Sequence, residues 1–320
     1  MLDGYGRTVD YLRLSVTDLC NYRCRYCMPP EGVCKREHRD ILRVEECVEI
    51  ARAAANCGVT KVRLTGGEPL VRRGLLDICR GIAAIGGIRE LCLTTNGSLL
   101  PDLARPLREA GVARLNISLD TLRPDRFAAM TRTGKLSRVL EGIAAAGRAG
   151  FAGLKLNAVL IGGFNDDELG DFLALTVDHP WEVRFIELMP MGPCAGWERS
   201  RFLSGDEVLH RFPALEPVES AGVARRYRLP GAKGTVGLIS PLSHAFCDGC
   251  RRVRVTADGK LKGCLHSREE IELRGLHGAA LEAAIRQGIA AKPERHYLSR
   301  GTCEVCVASD TPRTMNEIGG

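Results

Sequence analysis

The sequence contains few aromatic residues. Phe, Trp and Tyr make up only 5% of its 320 residues, whereas 45% of the residues are hydrophobic. The core must therefore be built mainly from aliphatic side chains. Proteins that bind single-stranded nucleic acid stack the bases on aromatic rings set among basic groups. The scarcity of aromatic residues argues against that class, and the net charge of +6 suits a smaller anionic ligand.

Long apolar segments are also missing. No run approaches the roughly 18 residues of a membrane span, and Asp3, Arg7 and Asp10 interrupt the start of the chain, so no signal peptide is expected. No solenoid-like repeat occurs. The Gly-x4-Gly-Lys-Ser/Thr phosphate loop is absent, so basic side chains would have to bind any phosphate groups. We expect a cytoplasmic protein that binds no membrane.

Cysteine is abundant, with 14 residues, but too sparse for a small disulfide scaffold. Four cysteines stand singly among apolar neighbours and are typical of small core residues: Cys47, Cys57, Cys79 and Cys92. Eight others are clustered like metal ligands: Cys20, Cys24, Cys27, Cys247, Cys250, Cys264, Cys303 and Cys306.

The first part of the chain alternates between strand and helix patterns. Strands are predicted over 11–16, 61–65, 89–95, 112–119, 154–161 and 182–188. Helices are predicted over 43–57, 74–84, 101–110 and 136–149, and Asn165 with Glu168 forms a potential capping box for a further helix. Units of this length are typical of parallel βα repeats. Because about six units precede residue 190, we predict an α/β fold, an incomplete, open (βα)6 TIM-like barrel over residues 1–220.

The pattern changes after Met191. Short strands are predicted over 223–229, 235–240 and 251–256, and helices near 269–274 and 277–290. We interpret residues 221–320 as a smaller C-terminal region with its own cysteines.

The first cysteine group follows the first predicted strand. Cys20, Cys24 and Cys27 lie within eight residues, spaced x3 and then x2. Thiolates are soft ligands that suit zinc or an iron–sulfur cluster. A zinc knuckle that uses Cys24 and Cys27 is one interpretation. In the other, three thiolates hold a four-iron cluster and leave one iron open for chemistry.

This stretch, with Tyr26 just before the third cysteine, resembles the radical S-adenosylmethionine (SAM) superfamily. In that superfamily the open iron binds SAM, and the reduced cluster cleaves SAM to a 5′-deoxyadenosyl radical. Gly66-Gly67-Glu68-Pro69 after the second predicted strand resembles the motif that contacts the methionyl amino group. As a plain βα turn, the glycine pair would have no such role. The resemblance also implies SAM contacts at Tyr26, Gly67, Ser118 and Met189, although Met189 is equally typical of a core residue.

The second cysteine group is Cys247, Cys250 and Cys264. Spacing alone favours zinc. Again, however, only three cysteines are present, and Cys250 is followed by Arg251-Arg252-Val253-Arg254. Strand alternation puts Arg252 and Arg254 on one face, where guanidinium groups can bind phosphate oxygens. These features favour a second cluster beside an anion site.

Taken together, the motifs resemble the GTP 3′,8-cyclase family, which begins molybdenum cofactor biosynthesis. The similarity spans nearly the whole chain and is carried by Leu12–Asp18, Lys61–Leu70, Leu93–Gly97, Asn116–Asp120, Lys155–Val159, Arg184–Met191, Phe246–Arg254 and Met315–Gly320.

The resemblance implies a radical SAM lyase with two 4Fe-4S clusters, one held by Cys20, Cys24 and Cys27 and the other by Cys247, Cys250 and Cys264. It implies that GTP is converted to a 3′,8-cyclic intermediate after hydrogen abstraction from ribose C3′, with the guanine bound at the second cluster. GTP contacts are implied at Arg13, Arg63, Thr94, Lys155, Arg252, Val253 and Arg254. Five cations and a hydroxyl among these suit a triphosphate and a ribose.

The resemblance also has implications for partners of the protein. The family implies an electron donor and a downstream cyclic pyranopterin monophosphate synthase, and a homodimer is compatible with the sequence. Cys34, Cys194, Cys303 and Cys306 have no assigned role. Three interpretations of Cys303 and Cys306 stay open: unrelated surface thiols, a zinc or redox pair, or the source of a further ligand that would fill the open iron of the second cluster. The alternatives are a peptide- or sulfatase-modifying radical SAM enzyme, a zinc-binding nucleic-acid module, or a carrier with a Gly319-Gly320 tail. We expect those two glycines to reach the active site instead.

Overall fold

The computed structural model describes residues 1–33, 36–220, 222–296, 298 and 313–319. The strands are β1 (Tyr11–Ser15), β2 (Lys61–Thr65), β3 (Glu90–Thr95), β4 (Arg114–Ser118), β5 (Lys155–Leu160), β6 (Glu182–Glu187), β7 (Glu216–Val218), β8 (Arg225–Arg228), β9 (Thr235–Ile239), β10 (Arg252–Val255), β11 (Lys260–Lys262) and β12 (Ile271–Glu272). The α-helices are α1 (Val44–Asn56), α2 (Leu75–Ala83), α3 (Leu100–Glu109), α4 (Pro124–Thr131), α5 (Leu136–Arg148), α6 (Leu169–Asp178), α7 (Asp206–Arg211), α8 (Gly278–Ala290) and α9 (Met315–Ile318). Short 3₁₀ turns span His38–Asp40, Pro69–Val71, Gly192–Gly196 and Arg199–Arg201.

All these strands form one sheet, in the order β12-β11-β10-β1-β2-β3-β4-β5-β6-β9-β8-β7. Neighbouring strands from β10 to β9 run parallel, and antiparallel strands extend both ends. Since β12 and β7 lie at opposite ends of this order, the described part of the sheet is not closed. The prediction of an open, partial barrel is therefore confirmed.

The two faces of the sheet follow from alternation along each strand. In β1, Leu12 and Leu14 are almost fully buried in the aliphatic core, which also contains the apolar faces of α1, α2 and α3. Tyr11 and Arg13, one residue out of phase, line a cavity on the other face. Because side chains alternate with a period of two, the same strands build both the core and the cavity wall.

Most predicted elements are observed within one or two residues, but two predictions need correction. The segment near 269–274 is not a helix, because Ile271–Glu272 pairs with β11 as strand β12. The capping box is also wrong. Asn165 instead accepts a hydrogen bond from the Ile161 backbone N–H and donates to the Asp120 carbonyl, while the buried Glu168 accepts from Thr121. Tertiary contacts thus take the polar groups that a local cap would have used.

The sheet continues across residue 220. Strands β8, β9 and β10 lie beyond that position, and β10 pairs directly with β1. The division into 1–220 and 221–320 stays a prediction. In the part of the chain that is described, no helix combines the length and apolar character needed to cross a membrane.

Candidate active site

A cavity of about 1170 Å³ lies on the inner face of the sheet. The two cysteine triplets line it together: Cys20, Cys24, Cys27, Cys247, Cys250 and Cys264. Every residue predicted to bind SAM or GTP also lines it, apart from Val253. Residues from both ends of the sequence therefore share one site.

The glycine pair after β2 supports the first cysteine loop. The Gly67 N–H donates to the Thr17 carbonyl at 2.9 Å, and the Glu68 N–H donates to the Leu19 carbonyl at 2.8 Å. A Cβ on Gly67 would lie only 2.5 Å from the Leu19 carbonyl oxygen. Because Gly67 has no side chain, the cysteine loop can pack closely against the end of β2. Gly67 therefore has a structural role in addition to its predicted contact with SAM.

Helix α4, which the sequence pattern did not predict, holds the other side of this loop. The Arg23 and Arg25 N–H groups donate to the Thr131 and Met130 carbonyls at 2.9 and 3.0 Å. Arg132 has a φ of 62°, unusual for a residue with a side chain, and its guanidinium donates to the Arg23 carbonyl at 2.6 Å. The C-terminal end of α4 therefore satisfies backbone groups on both sides of Cys24.

The first triplet consists of half-buried thiols, and its donor chemistry fits an iron–sulfur cluster. Burial raises the pKa of Cys20 to about 11 and the pKa of Cys27 to about 12. Metal binding would have to displace these protons. Among the described residues, no three His, Cys, Asp or Glu side chains converge on a single-ion position. A four-iron cluster does not require such convergence, because each thiolate binds a different iron.

The residues predicted to bind SAM surround this triplet. The Tyr26 hydroxyl donates to the Asp120 carboxylate at 2.8 Å, and the Val159 N–H donates to the other carboxylate oxygen at 2.9 Å. Burial raises the pKa of Asp120 to about 6. Ser118 lies at the end of β4, and Met189 is half-buried just beyond β6. Sequence analysis did not single out Asp120 as the group that fixes Tyr26.

The second triplet faces the cavity beside a buried lysine. Lys292 Nζ lies 3.3 Å from Cys250 Sγ and donates to the Gly263 carbonyl at 2.8 Å. Although burial raises the pKa of the Cys250 thiol, the positive charges of Arg252 and Lys292 outweigh that effect and lower it to about 6. The neighbouring rings of His266 and His296 pack edge to face, 5.4 Å between centroids. None of these three basic residues was identified from the sequence.

Strand pairing brings three guanidinium groups into one row. Arg13 on β1 is paired with Arg63 on β2 and with Arg254 on β10. Burial and the positive charge of Arg254 hold the pKa of Arg13 well below its usual range. Burial and the charge of Arg252 lower the pKa of Arg254 to about 10. Burial lowers the pKa of Arg63, but its interaction with the Tyr11 hydroxyl outweighs that effect and raises it. Arg13 and Arg254 are therefore mutually repelling cations that a polyanion would stabilise.

The cations differ in how they are neutralised. Lys155 donates to the Glu182 carboxylate at 2.9 Å, and Arg184 donates to its other oxygen. Among the described residues, no carboxylate lies within ion-pair distance of Arg252 or Arg254. The β10 arginines are thus better placed than Lys155 to take a new anion.

Two further predicted GTP contacts differ in placement. The Thr94 hydroxyl faces the cavity and accepts a hydrogen bond from Arg63 at 3.4 Å. Val253 is 1% exposed and packs in the aliphatic core on the opposite face from Arg252 and Arg254. Its side chain therefore does not reach the cavity, and only its backbone remains available for a GTP contact.

The end of the described chain enters the site. Arg254 donates to the Gly319 carbonyl at 3.1 Å, and a Cβ on Gly319 would lie 2.4 Å from Thr65 Oγ1. Arg313 anchors the segment through bidentate hydrogen bonds to Asp258 and Glu270. Gly319 thus lies where β1, β2 and β10 meet, and Gly320 lies outside the described residues.

The remaining cysteines that the structure describes are all buried. Cys47, Cys57, Cys79 and Cys92 are buried, as predicted for core residues. Cys194 is also buried, and its thiol donates to the Met189 and Met191 carbonyls. It therefore supports the segment that follows β6. Cys34, Cys303 and Cys306 lie outside the described residues.

Comparison with known proteins is consistent with this geometry. Residues 14–176 match the radical SAM superfamily, and residues 181–298 match Molybdenum Cofactor Synthesis C. The chain is 50% identical over 325 residues to GTP 3′,8-cyclase from Alkaliphilus metalliredigens, with 100% of both chains covered. It is 51% identical over 330 residues to GTP 3′,8-cyclase from Geobacter sulfurreducens, covering 100% of this chain and 99% of the other.

Two solved structures share the fold. SuiB from Streptococcus suis, bound to precursor peptide SuiA, superposes with a TM-score of 0.63 at 13% identity, over 87% of this chain and 67% of SuiB. Native anSMEcpe with bound AdoMet gives a TM-score of 0.59 at 14% identity, over 97% of this chain and 93% of the other. The family matches and the two relatives at 50% and 51% identity show that the chain belongs to the radical SAM superfamily and, within it, to the GTP 3′,8-cyclase family.

Proposed function

We propose that this protein is a lyase that converts GTP to (8S)-3′,8-cyclo-7,8-dihydroguanosine 5′-triphosphate, the first step of molybdenum cofactor biosynthesis. The observation that carries this proposal is the shared cavity, which is lined by both cysteine triplets and by a row of guanidinium groups. Cluster ligands and phosphate-binding groups are both needed for this reaction, and the fold brings them together.

Two 4Fe-4S clusters and SAM are the cofactors. Cys20, Cys24 and Cys27 would hold the first cluster, and Cys247, Cys250 and Cys264 the second. When bound, these groups supply the electron that cleaves SAM, the adenosyl group that abstracts hydrogen, and an iron that can bind the guanine. The protein residues bind, orient and shield the reactants around them.

The first group of residues would orient SAM. Tyr26 is fixed by its hydrogen bond to Asp120, so its ring has a defined position next to the first triplet. Ser118 at the end of β4 and Met189 just beyond β6 also line the cavity. Gly67 would bring backbone close to SAM while it also supports the cysteine loop.

The second group would bind the triphosphate and ribose. Arg252 and Arg254 lack carboxylate partners among the described residues and lie next to Arg13 and Arg63. Guanidinium forks form paired hydrogen bonds with phosphate oxygens. A bound triphosphate would also relieve the repulsion within the row. Thr94 supplies a hydroxyl, and Lys155 adds a further cation on the cavity wall.

The tail would restrict access of water to this site. Gly319 fills the space between Ser15, Thr65 and Arg254, and glycine is the residue that such a narrow space accepts. A dry cavity strengthens the electrostatic interactions inside it and protects reactive species. We therefore assign the C-terminal glycines to the active site and not to a carrier function.

The protein would need an external electron donor and would pass its product to a cyclic pyranopterin monophosphate synthase. A reducing compartment such as the cytoplasm suits its many free thiols. We also propose that residues 1–220 act as the SAM-cleaving unit and residues 221–320 as the second-cluster unit. Homodimer formation is compatible with this arrangement.

Anaerobic turnover tests the proposal. Reconstituted protein is incubated with GTP, SAM and a chemical reductant, and the product is identified by mass spectrometry and NMR. We expect a 3′,8-linked GTP derivative together with 5′-deoxyadenosine. Replacing the first cysteine triplet with alanine should remove about half of the bound iron and all SAM cleavage. SAM cleavage by that variant, or cleavage without any GTP-derived product in the native protein, would contradict the proposal.

A further inference from the structure

Lys292 is a buried lysine with an unusual set of neighbours. It follows α8, is 3% exposed and lies on the cavity wall. Its ammonium group contacts Cys250 Sγ at 3.3 Å and donates to the Gly263 carbonyl at 2.8 Å. Gly263 immediately precedes Cys264. One cation therefore contacts two of the three arms of the second cysteine triplet.

The charge of Lys292 needs an anion. No carboxylate within the described parts of the chain lies within ion-pair distance of its Nζ, and the nearby Arg252 is also cationic. Burial of an ammonium group without a counter-charge is unfavourable, because the group loses its hydration. The sulfur of Cys250, 3.3 Å from Nζ, would supply negative charge as a ligand of a negatively charged cluster.

The backbone around Lys292 is closely fitted. A Cβ on Gly263 would lie 3.1 Å from the Lys292 Cα atom, so the glycine allows the two backbones to pack together. This contact fixes the Lys292 backbone, and the side chain beyond it is buried, with its ammonium group against Cys250 Sγ and the Gly263 carbonyl. The position of the ammonium group is therefore determined by packing as well as by its hydrogen bonds.

Arg7 fixes the same segment from the N-terminal side. Its guanidinium donates to the Pro293 and Glu294 carbonyls at 2.7 and 2.6 Å and to the Cys247 carbonyl at 3.0 Å. Asp3 orients that guanidinium, because its carboxylate accepts a 2.6 Å hydrogen bond from Arg7 Nε. The Arg7 contacts therefore join the segment after Lys292 to the remaining arm of the second triplet.

We propose that Lys292 is a positioning residue for the second triplet. Its ammonium group holds the Cys250 and Cys264 arms together and makes the cluster bound there easier to reduce. This inference rests on the proposed function in one respect, that the second triplet binds a four-iron cluster. Hydrogen bonds to cluster sulfurs are among the factors that set the reduction potential. A fixed positive charge stabilises the reduced form more than the oxidised form, because the reduced form carries one more electron.

The test uses the full-length chain with the first triplet replaced by alanine, so that only the second site contributes a signal. Lys292→Met removes the charge and the donors at similar length, and Lys292→Arg keeps both. Lys135→Met, at an exposed position outside the cavity, is the matched control. Iron and sulfide per chain are measured first. The midpoint potential is then measured by anaerobic titration with redox mediators and EPR detection.

We expect Lys292→Met to make one-electron reduction about tenfold less favourable, which corresponds to a midpoint about 59 mV lower. Lys292→Arg should restore most of this difference, and Lys135→Met should match the parent protein. If Lys292→Met loses iron from the second site while Lys292→Arg retains it and both have native circular dichroism, the positioning role is supported.

Two results would overturn the inference. One is a Lys292→Met protein with the iron content and midpoint of its parent. The other is equal loss in Lys292→Met and Lys292→Arg, which would show that the side chain matters for packing and not for its charge. A parent protein that shows no second-site iron signal at all would instead contradict the proposed function.

Discussion

Replacement of Gly67 by alanine should release the first cysteine loop from β2. The added Cβ would lie 2.5 Å from the Leu19 carbonyl oxygen and 2.6 Å from the Asp18 carbonyl oxygen. Both neighbours are backbone atoms, which cannot rotate away as a flexible side chain can. The loop must therefore move as a unit, and it carries Cys20 with it.

The expected cost follows from two contributions. Forcing an extra methyl group into a close-packed region typically costs about 1–3 kcal/mol. The loop would also weaken the hydrogen bonds from Gly67 to Thr17 and from Glu68 to Leu19, each worth about 1 kcal/mol. A total of about 3 kcal/mol corresponds to roughly hundredfold weaker retention of the first cluster.

The assay is the iron content per chain after anaerobic reconstitution and dilution, together with SAM cleavage. We expect Gly67→Ala to lose iron from the first site and to lose SAM cleavage, while the second triplet remains loaded. Gly147→Ala is the matched control. Gly147 lies in α5 with no neighbouring atom within 4 Å of the added Cβ, and alanine favours a helix.

The steric reasoning would be refuted by a Gly67→Ala protein that retains full first-site iron. If iron is retained but SAM binds more weakly, Gly67 acts through contact with SAM and not through support of the loop. Equal losses in Gly67→Ala and Gly147→Ala would point to a general effect of the added methyl group.

Two further predictions concern substrate binding and the tail. Arg252→Ala and Arg254→Ala should each weaken GTP use by about tenfold to a hundredfold, since a charge-assisted hydrogen bond is worth about 1.5–3 kcal/mol. Iron content should stay unchanged in both variants, and GTP affinity and turnover equal to those of the native protein would rule out the phosphate site. Deletion of the two terminal glycines should leave iron content and melting temperature nearly unchanged but sharply reduce cyclisation, as measured by product analysis. Full cyclisation in the deletion variant would show that the tail is dispensable.

Local sequence patterns determined most of the secondary structure and the face on which each strand residue lies. Alternation along residues 11–16 separates Leu12 and Leu14 from Tyr11 and Arg13, and the same reasoning separates Val253 from its arginine neighbours. Because alternation and helical periodicity depend only on nearby residues, the main strands and helices could be predicted. The spacing of the cysteine triplets is also local, so the two candidate ligand sets could be predicted without a structure.

Such local patterns did not predict helix α4 or the contact between Lys292 and Cys250. Pro124–Thr131 is short, and its importance lies in the carbonyl groups it presents to the cysteine loop. Lys292 looks like any helix-flanking lysine in the sequence. Its proximity to Cys250 arises only when α8 packs near the second triplet.

Tertiary structure alone decided which residues share the site. The sequence indicates the face on which Arg13, Arg63 and Arg254 lie, but periodicity carries no information about which strands become neighbours. Strand β10 joins the sheet next to β1, although about 240 residues separate them, and this pairing completes the guanidinium row. The same sheet places both triplets on the wall of one cavity, and Gly319 lies where β1, β2 and β10 converge, in contact with the cavity-lining residues Thr65 and Arg254. Such long-range pairings depend on the packing of the whole sheet, so they emerge only when the chain has folded.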